Sequence, residues 1–263
     1  SPPSSRSQTA PPSPCAPPWP RAIARPRLAI LTTGDELARA DQAPGAARIR
    51  DSNGPMLEAM AKGMGLKDVT VEHAGDDVEA LRGALKKFED LDMVVVTGGV
   101  SMGKYDLVPD VLARMGARTV FHKVAQKPGK PLLFAVQEGE KADAGRRLLF
   151  GLPGNPLSCH LCFHRYIRPA VRKMMGLPPL DPPLTGRLTE AFANNGSFVI
   201  FQLARAEHDG DGWRLTPLRG KGSADIFASA RANAIIRFDP RPETYSMGVS
   251  MPCELLDESS SVP

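Results

Sequence analysis

The residues best suited to chemistry lie in one stretch, residues 94–106, which reads VVVTGGVSMGKYD. Its glycines at positions 98, 99 and 103 allow the backbone to take positive φ angles and to approach a ligand closely. The amides at the start of the helix expected to follow carry partial positive charge. A buried strand, a glycine-rich loop and a helix start, in this order, predict a site for a phosphate or another oxyanion.

Two interpretations of this loop differ in where they place a cation. Gly98, Gly103 and Lys104 match the P-loop signature except at its last position, where Tyr105 replaces the Ser or Thr that binds magnesium. In the other interpretation, the glycine amides hold the anion and Asp106 binds the cation. The missing hydroxyl favours the second interpretation. A tight turn without a ligand is disfavoured because charged residues follow several other predicted strands.

Carboxylates follow two more predicted strands. Residues 28–31 form the first predicted strand and run into TTGDE, which supplies two hydroxyls and two carboxylates, including Glu36. Residues 69–73 form the second, which Asp76 follows. Open α/β sheets bind their ligands at the carboxyl ends of parallel strands, so Glu36, Asp76 and Asp106 are expected at one edge of a sheet.

Lysines surround the segment KPGKP. Pro128 and Gly129 suit the two central positions of a type II turn, which would fix Lys127 and Lys130 at a strand end. Lys123 lies on the incoming predicted strand. The three lysines are predicted to bind an anionic ligand together; a solvated basic loop is the alternative. A magnesium ion that bridges carboxylates to a phosphate would use these acidic and basic groups at once.

Helix starts are marked by capping residues. Any of residues 51–53 can cap the helix predicted from about 55 to 64, and residues 75–77 precede the next helix. In GLPGNP, Asn155 as N-cap and Pro156 at the first helical position predict a further helix start, with a second set of exposed amides that favours an anion.

The order of the predicted elements gives a fold class. Strands and helices alternate up to residue 177, which predicts a three-layer α/β domain with a mostly parallel sheet. After prolines at 178, 179, 182 and 183, only short β segments and one short helix follow, which predicts a small all-β barrel or sandwich. The expected organisation is a proline-rich segment at 1–26, the α/β domain at 27–177 and the β domain at 178–263.

Composition excludes several classes of protein. Hydrophobic content of 42% and charged content of 24% are typical of a globular protein, and the net charge of +4 accompanies no basic run with interleaved aromatics that would indicate nucleic-acid binding. No apolar stretch reaches the roughly 20 residues of a membrane helix, so a cytoplasmic location is expected. Cys159, His160, Cys162 and His164 lack the second ligand pair of a zinc site and are predicted to belong to a helix that packs into the core.

The motifs TGDE, RDSNG, GDD, TGGVSMGKYD, KPGKP and GLPGNP, in this order over about residues 27–263, resemble those of the molybdopterin molybdenumtransferases, the bacterial MoeA and gephyrin E-domain family. The resemblance implies a molybdopterin-binding α/β domain like that of the MogA and MoaB proteins, followed by the family's C-terminal β domain. It implies insertion of molybdate into adenylylated molybdopterin, with magnesium as cofactor and release of AMP. The expected partners are these small molecules and further copies of the chain, not nucleic acid or membrane.

The resemblance also implies roles for residues at the motif positions. The catalytic residues would be Glu36, Asp76, Asp106, Lys123 and Lys127, with Glu36 and Asp106 as metal ligands. The remaining positions would bind the pterin substrate or shape its pocket: Thr32, Gly34, Asp35, Ser52, Gly98, Gly99, Ser101, Gly103, Lys130, Pro153, Gly154, Asn155 and Pro156.

Two other functions are compatible with these motifs. Full-length members of the family carry two further domains before the region matched here, so a non-catalytic molybdopterin-binding or scaffold module is one alternative. An adenylyltransferase of the same pathway is the other, because the α/β domain is shared. The predicted β domain disfavours the adenylyltransferase.

Overall fold

A computed structural model describes residues 25–38, 41, 43, 45, 48–100, 107–139, 145–219 and 226–256. The predicted site residues Ser101, Gly103 and Asp106 lie outside the described residues, as does nearly all of the proline-rich segment.

The described residues form fourteen strands and six α-helices. The strands are β1 Leu28–Thr33, β2 Leu37–Ala38, β3 Ile49–Arg50, β4 Val69–Ala74, β5 Met93–Thr97, β6 Arg118–His122, β7 Gln126–Lys127, β8 Leu133–Gln137, β9 Arg147–Leu152, β10 Leu184–Leu188, β11 Val199–His208, β12 Trp213–Pro217, β13 Ala234–Phe238 and β14 Ser250–Leu255. The helices are α1 Asn53–Gly63, α2 Val78–Lys87, α3 Val108–Arg114, α4 Pro156–Cys162, α5 Arg168–Met174 and α6 Ile226–Arg231.

The first sheet has six strands in the order β4, β1, β5, β9, β8, β6. The four strands from β4 to β9 run parallel, whereas β8 is antiparallel to both of its neighbours. Strands β1 and β5 are buried along their whole length, as expected for central strands of a sheet covered on both faces. The mostly parallel sheet predicted from the sequence is confirmed.

Two apolar clusters cover the two faces of this sheet. Side chains alternate along β1, so Ala29 and Leu31 belong to one cluster, which includes residues of α2 and α3. Leu28 and Ile30 belong to the other, which includes residues of α1, α4 and α5. Helices therefore pack on both faces, and the three-layer architecture is confirmed.

The second sheet closes on itself as a five-stranded barrel. Its order is β12, β10, β14, β13, β11, and β11 pairs again with β12. A hairpin turn at residues 209–212 joins β11 to β12, and the Asp209 amide donates to the Gly212 carbonyl at 3.1 Å. The predicted small β domain is confirmed in its barrel form.

One strand of the barrel also pairs with a segment from the α/β part of the chain. Strand β7 lies parallel to β11, with Gln126 opposite Val199 and Lys127 opposite Ile200. The sequence does not predict this pairing, because a two-residue strand carries no periodic pattern. The pairing joins the lysine-rich segment directly to the barrel.

A long helix follows β9 and contains one wide turn. Helix α4 continues through a π-helical turn, Phe163–Ile167, into α5, so the chain is helical from Pro156 to Met174. Pro169 has no N–H to donate and would clash with the carbonyl four residues earlier in a regular helix, which accounts for the wide turn just before it. The predicted helix is confirmed; the π turn was not predicted.

Cysteines of this helix face the core, as predicted. Cys159 and Cys162 are fully buried, and burial raises the pKa of Cys162 to about 12. Gly129 packs against Cys162: a Cβ on Gly129 would lie 2.5 Å from the Cys162 Sγ, and the φ of Gly129 is +93°. None of the described helices combines the length and apolar character required to cross a lipid bilayer.

Replacement of Gly129 tests this packing. Gly129→Ala is expected to destabilise the protein by about 2–5 kcal/mol, the sum of left-handed strain and overpacking against Cys162. Gly116→Ala is the control, because Gly116 also has a positive φ but a Cβ there meets nothing within 4 Å. Gly116→Ala is expected to cost only about 1–2 kcal/mol in urea unfolding. Equal losses for the two variants would contradict the packing argument.

The pH dependence of stability tests the environment of His164. Burial, followed by the neighbouring His160 and Arg168, lowers the pKa of His164 from 6.5 to about 3. The unfolded chain therefore takes up a proton at this site below pH 6.5 that the folded chain refuses until about pH 3. As the pH is lowered through this window, the free energy of unfolding is therefore expected to fall by up to about 1.4 kcal/mol per pH unit. Other groups that titrate in the same window add their own contributions. His164→Gln removes this contribution, so the variant should lose less stability than the wild type between pH 7 and pH 4.5. Chemical denaturation at the two pH values measures this loss. Equal losses in the wild type and the variant would refute the lowered pKa of His164.

Candidate functional site

The strand order creates a crevice at the carboxyl ends of β1 and β5. The chain passes from β1 through α1 to β4 on one side of β1, and then through α2 to β5 on the other side. The connections diverge at this point, which is where open α/β sheets bind ligands. Strands β4, β9 and β6 run in the same direction, so the loops that follow them begin at the same edge.

A turn of two glycines lies against the end of β1. Gly98 and Gly99 have φ angles of +94° and +60°. A Cβ on Gly98 would lie 2.6 Å from the Thr33 Oγ1 and 2.8 Å from the Thr33 carbonyl oxygen, so only glycine fits there. The Gly98 amide donates to the Leu152 carbonyl at 3.1 Å. The ends of β1, β5 and β9 therefore converge on this turn.

Asn53 connects three of the elements that form the crevice. Its side-chain Nδ2 donates to the Gly154 carbonyl at 2.7 Å and to the Thr97 Oγ1 at 3.2 Å. The side chain is buried, and its Oδ1 accepts no hydrogen bond from the described residues. Cys159 donates from its Sγ to the Pro153 carbonyl at 2.8 Å. These bonds fix the turn between β9 and α4 against the ends of β5 and α1.

Acidic residues link the loops after β1 and β4. The Asp35 amide donates to the Asp76 carboxylate at 3.3 Å, and the Asp76 amide donates to the Asp35 carboxylate at 3.2 Å. Glu36 lies beside them, folded over Gly34, where a Cβ would be 2.7 Å from the Glu36 Oε2. The helix α2 is capped by Asp77, whose Oδ1 accepts from the amides of residues 79 and 80. Asp76 therefore does not cap α2, and its carboxylate lies in the loop at the edge of the sheet, where it accepts from the Asp35 amide.

No cluster of three or more His, Cys, Asp or Glu side chains suited to a metal is present among the described residues. Asp106, the second predicted metal ligand, lies outside that part of the chain. The acidic groups that are described supply only carboxylate oxygens, the ligand type preferred by magnesium.

The lysine loop follows β6. Lys123 is exposed and has a φ of +72°, and the loop is closed by the Lys123 amide to the Leu132 carbonyl at 2.8 Å and the Val124 amide to the Lys130 carbonyl at 2.9 Å. The predicted type II turn is misplaced. The hydrogen-bonded turn joins the Leu132 amide to the Gly129 carbonyl at 3.2 Å and begins two residues later than expected.

A cavity of about 450 Å³ lies between this loop and strand β11. Lys127, Lys130 and Ser158 line it, with Gln202 on the side of the barrel. The ammonium groups of Lys127 and Lys130 lie 5.5 Å and 5.1 Å from the centre of the Phe198 ring. The first turn of α4 and two cations therefore line one open cavity.

The acidic loops and the lysine loop occupy opposite parts of the edge. Four strand spacings, about 19 Å, separate the axis of β1 from that of β6. One small ion is too short to span this distance. A ligand that contacts both groups must be extended along the edge.

The predicted binding residues differ in how close they come to this edge. Thr32 is fully buried, and its Oγ1 lies 3.3 Å from the His73 Nδ1 on the α1 side of the sheet, so Thr33 rather than Thr32 borders the crevice. Ser52 holds the N-cap position of α1, but its side chain makes no capping bond, and Asp51 accepts from the amides of residues 53 and 54 instead.

The predicted start of α4 is at the expected residue, but it also lacks a side-chain capping bond. Asn155 is at the N-cap position without a side-chain capping bond, and Pro156 is the first helical residue. Gly154 and Asn155 are exposed at the edge, whereas Pro153 is buried beneath it.

Three residues of the site are not predicted as such by the sequence: Asn53, Ser158 and Phe198. Asn53 stands in the motif RDSNG, which predicts only a helix cap there. Ser158 and Phe198 carry no local signal, because their positions depend on contacts between distant parts of the chain. Thr33 is expected at the edge as one of the two hydroxyls of TTGDE, but Thr32 is the one predicted to bind the ligand.

Comparison with known proteins supports the family suggested by the motifs. A family model described as "Probable molybdopterin binding domain" matches residues 29–173. The molybdopterin molybdenumtransferase of Staphylococcus epidermidis is 32% identical over 243 residues, which cover 92% of this chain and 56% of that protein. The enzyme of the same name from Staphylococcus aureus is 32% identical over 218 residues, which cover 82% and 50%. The chain thus spans about half the length of these curated relatives.

Solved structures share the fold. A MoeA protein from Pyrococcus horikoshii superposes with a TM-score of 0.73 at 24% identity, covering 89% of this chain and 55% of that one. A molybdenum cofactor biosynthesis protein from Pyrococcus furiosus gives a TM-score of 0.62 at 19% identity, covering 88% and 68%. Because the family model covers more than half of the sequence, the chain belongs to the family of probable molybdopterin-binding domains, and it shares the fold of the MoeA proteins.

Proposed function

We propose that this chain acts in molybdenum cofactor biosynthesis, where it binds adenylylated molybdopterin and molybdate and supports insertion of the metal with release of AMP. The observation that carries the proposal is the arrangement of two anion-binding regions along one sheet edge, the glycine crevice and the lysine cavity. Adenylylated molybdopterin is elongated, because a diphosphate joins its pterin part to its adenosine part, so it suits a site that is extended in this way.

The lysine cavity provides the proposed molybdate site. Molybdate is a tetrahedral dianion, and Lys127, Lys130 and the Ser158 hydroxyl offer it two positive charges and a donor around a volume of about 450 Å³. Hydrogen bonds to a charged partner are stronger than neutral ones. Ser158 lines the cavity although only 4% of its surface is exposed.

The glycine crevice provides the proposed phosphate site. Gly98 and Gly99 have no side chains and are partly exposed between the ends of β1 and β9, which would let a phosphate approach the main chain closely. Asn53 holds the neighbouring turn in place. These residues would orient the pterin phosphate toward the lysine cavity.

Magnesium is part of the proposal, with Glu36 and Asp106 as its ligands and Asp76 as a further carboxylate. Magnesium is usually held by one or two carboxylates together with substrate phosphates, so the acidic loops fit it without a cluster of three protein ligands. When bound, the ion would neutralise phosphate charge during the transfer.

The described residues suggest catalysis by positioning and electrostatics. Burial raises the pKa of Cys159 well above its usual value, with a smaller contribution from Cys162, so neither thiol is a nucleophile at neutral pH. Fixed cations and backbone amides aimed at developing negative charge accelerate such reactions without a covalent intermediate.

The proposal also covers domain boundaries, oligomeric state and location. They are the division into domains at 27–177 and 178–263, a homo-oligomeric state and a cytoplasmic location. The chain covers only 56% of the relative from Staphylococcus epidermidis, so turnover by the isolated chain is itself part of the proposal.

Titration calorimetry with adenylylated molybdopterin tests the acidic end of the site. We expect binding that strengthens with magnesium, and we expect Asp76→Asn to reduce the magnesium-dependent affinity about tenfold, because a charged metal or phosphate contact is lost. Asp77→Asn is the matched control, since Asp77 is an exposed neighbour that caps α2 and Asn caps equally well. If Asp76→Asn and Asp77→Asn bind with identical affinities, Asp76 does not contribute to the binding site.

Turnover tests the lysine end. With molybdate added to the bound substrate, AMP release is expected from the wild type and is expected to fall at least tenfold in Lys130→Met, which removes one charge from the cavity. Lys62→Met, on α1 beside Glu58, changes the net charge equally and should retain activity. Binding without AMP release in the wild type would instead identify a molybdopterin-binding module. Adenylylation of molybdopterin from ATP would identify an adenylyltransferase.

A further inference from the structure

The Phe198 ring lies within cation–π distance of both lysines of the cavity. The Lys127 and Lys130 ammonium groups lie 5.5 Å and 5.1 Å from the centre of the same ring, so they are at most about 11 Å apart. An ammonium within about 6 Å of a ring centre is attracted to the ring face. A single side chain therefore attracts two positive charges that repel each other.

The backbone fixes the position of this ring relative to the lysines. Phe198 immediately precedes β11, and the next residue, Val199, donates from its amide to the Ala125 carbonyl at 3.0 Å. Two residues of β11 then pair with β7, which contains Lys127. The barrel thus supplies the ring, and the α/β part of the chain supplies the cations.

Lysine side chains are long and lose considerable rotamer entropy when they are held in one place. Without a partner on the protein, two neighbouring ammonium groups would separate into solvent, and an incoming anion would have to bring them together. The ring compensates part of this cost before the anion arrives. A doubly charged tetrahedral oxyanion then meets two cations that are already held beside the same ring.

We propose that Phe198 is a positioning residue that holds Lys127 and Lys130 beside one aromatic ring at the cavity that both lysines line, so that they bind a divalent tetrahedral oxyanion together. The inference rests on the proposed function, because it concerns the same cavity. It adds a role for the barrel: the barrel completes the anion site without itself contributing a charge to it.

Substitutions at position 198 separate the ring face from its bulk. In Phe198→Leu the apolar volume is largely kept but the π face is lost, and the dissociation constant for molybdate, measured by calorimetry, is expected to rise about 5–10-fold. Phe198→Trp offers a stronger π face and is expected to bind molybdate within about twofold of the wild type. Rescue by Trp but not by Leu distinguishes positioning of the cations from simple packing.

A spectroscopic measurement checks the geometry independently of binding. With lysine labelled at Cε by carbon-13, the Hε signals of Lys127 and Lys130 are expected to be shifted upfield by the ring current in the wild type. The shift should disappear in Phe198→Leu. Phe192→Leu is the matched control, because it removes an aromatic ring stacked on Phe238 inside the barrel and leaves the lysines untouched.

The outcomes separate this inference from the proposal on which it rests. If the wild type binds no molybdate, both fail. If the wild type binds molybdate and Phe198→Leu binds it equally well, or if Phe192→Leu weakens binding as much as Phe198→Leu does, only the role of Phe198 is refuted. Loss of the upfield shift together with weaker binding in Phe198→Leu, and recovery in Phe198→Trp, supports it.

Discussion

The carboxamide of Asn53 is the contact on which the arrangement of the sheet edge depends. One buried Nδ2 group binds the turn before α4 through the Gly154 carbonyl and the end of β5 through the Thr97 hydroxyl. Since Asn53 is also the first residue of α1, three separate segments are held at fixed positions around the glycine turn. Removal of a buried hydrogen-bonding group leaves its partners unsatisfied, so this contact constrains both geometry and stability.

Most of the fold follows from local patterns in the sequence. Apolar runs such as Met93–Thr97 and helical spacing of apolar residues in α2 identify buried strands and amphipathic helices without knowledge of their partners. The features that escaped prediction depend on distant partners. Strand β7 exists because β11 pairs with it from more than seventy residues away, and the lysine turn begins at Gly129 because the two adjacent strand ends fix its position.

The candidate site was predictable only in part, for the same reason. Charged residues that directly follow predicted strands indicate the ligand-binding edge of a sheet, and Glu36 and Asp76 do lie at that edge together with Asp35. Threonines in a strand alternate between faces, so Thr32 and Thr33 can be told apart only when the direction of the layers is known. Phe198 reads in the sequence as an ordinary strand residue, and its contact with two lysines becomes evident only in three dimensions.

The pairing of β7 with β11 makes the barrel and the ligand-binding edge thermodynamically linked. A strand shared between two units cannot open in one without exposing hydrogen-bonding groups in the other, so the two are expected to unfold together rather than in separate transitions. Any ligand that orders the lysine loop then stabilises the barrel by mass action, even though it does not enter the barrel core. The heat resistance of the β-barrel thereby becomes a measure of occupancy at the cavity.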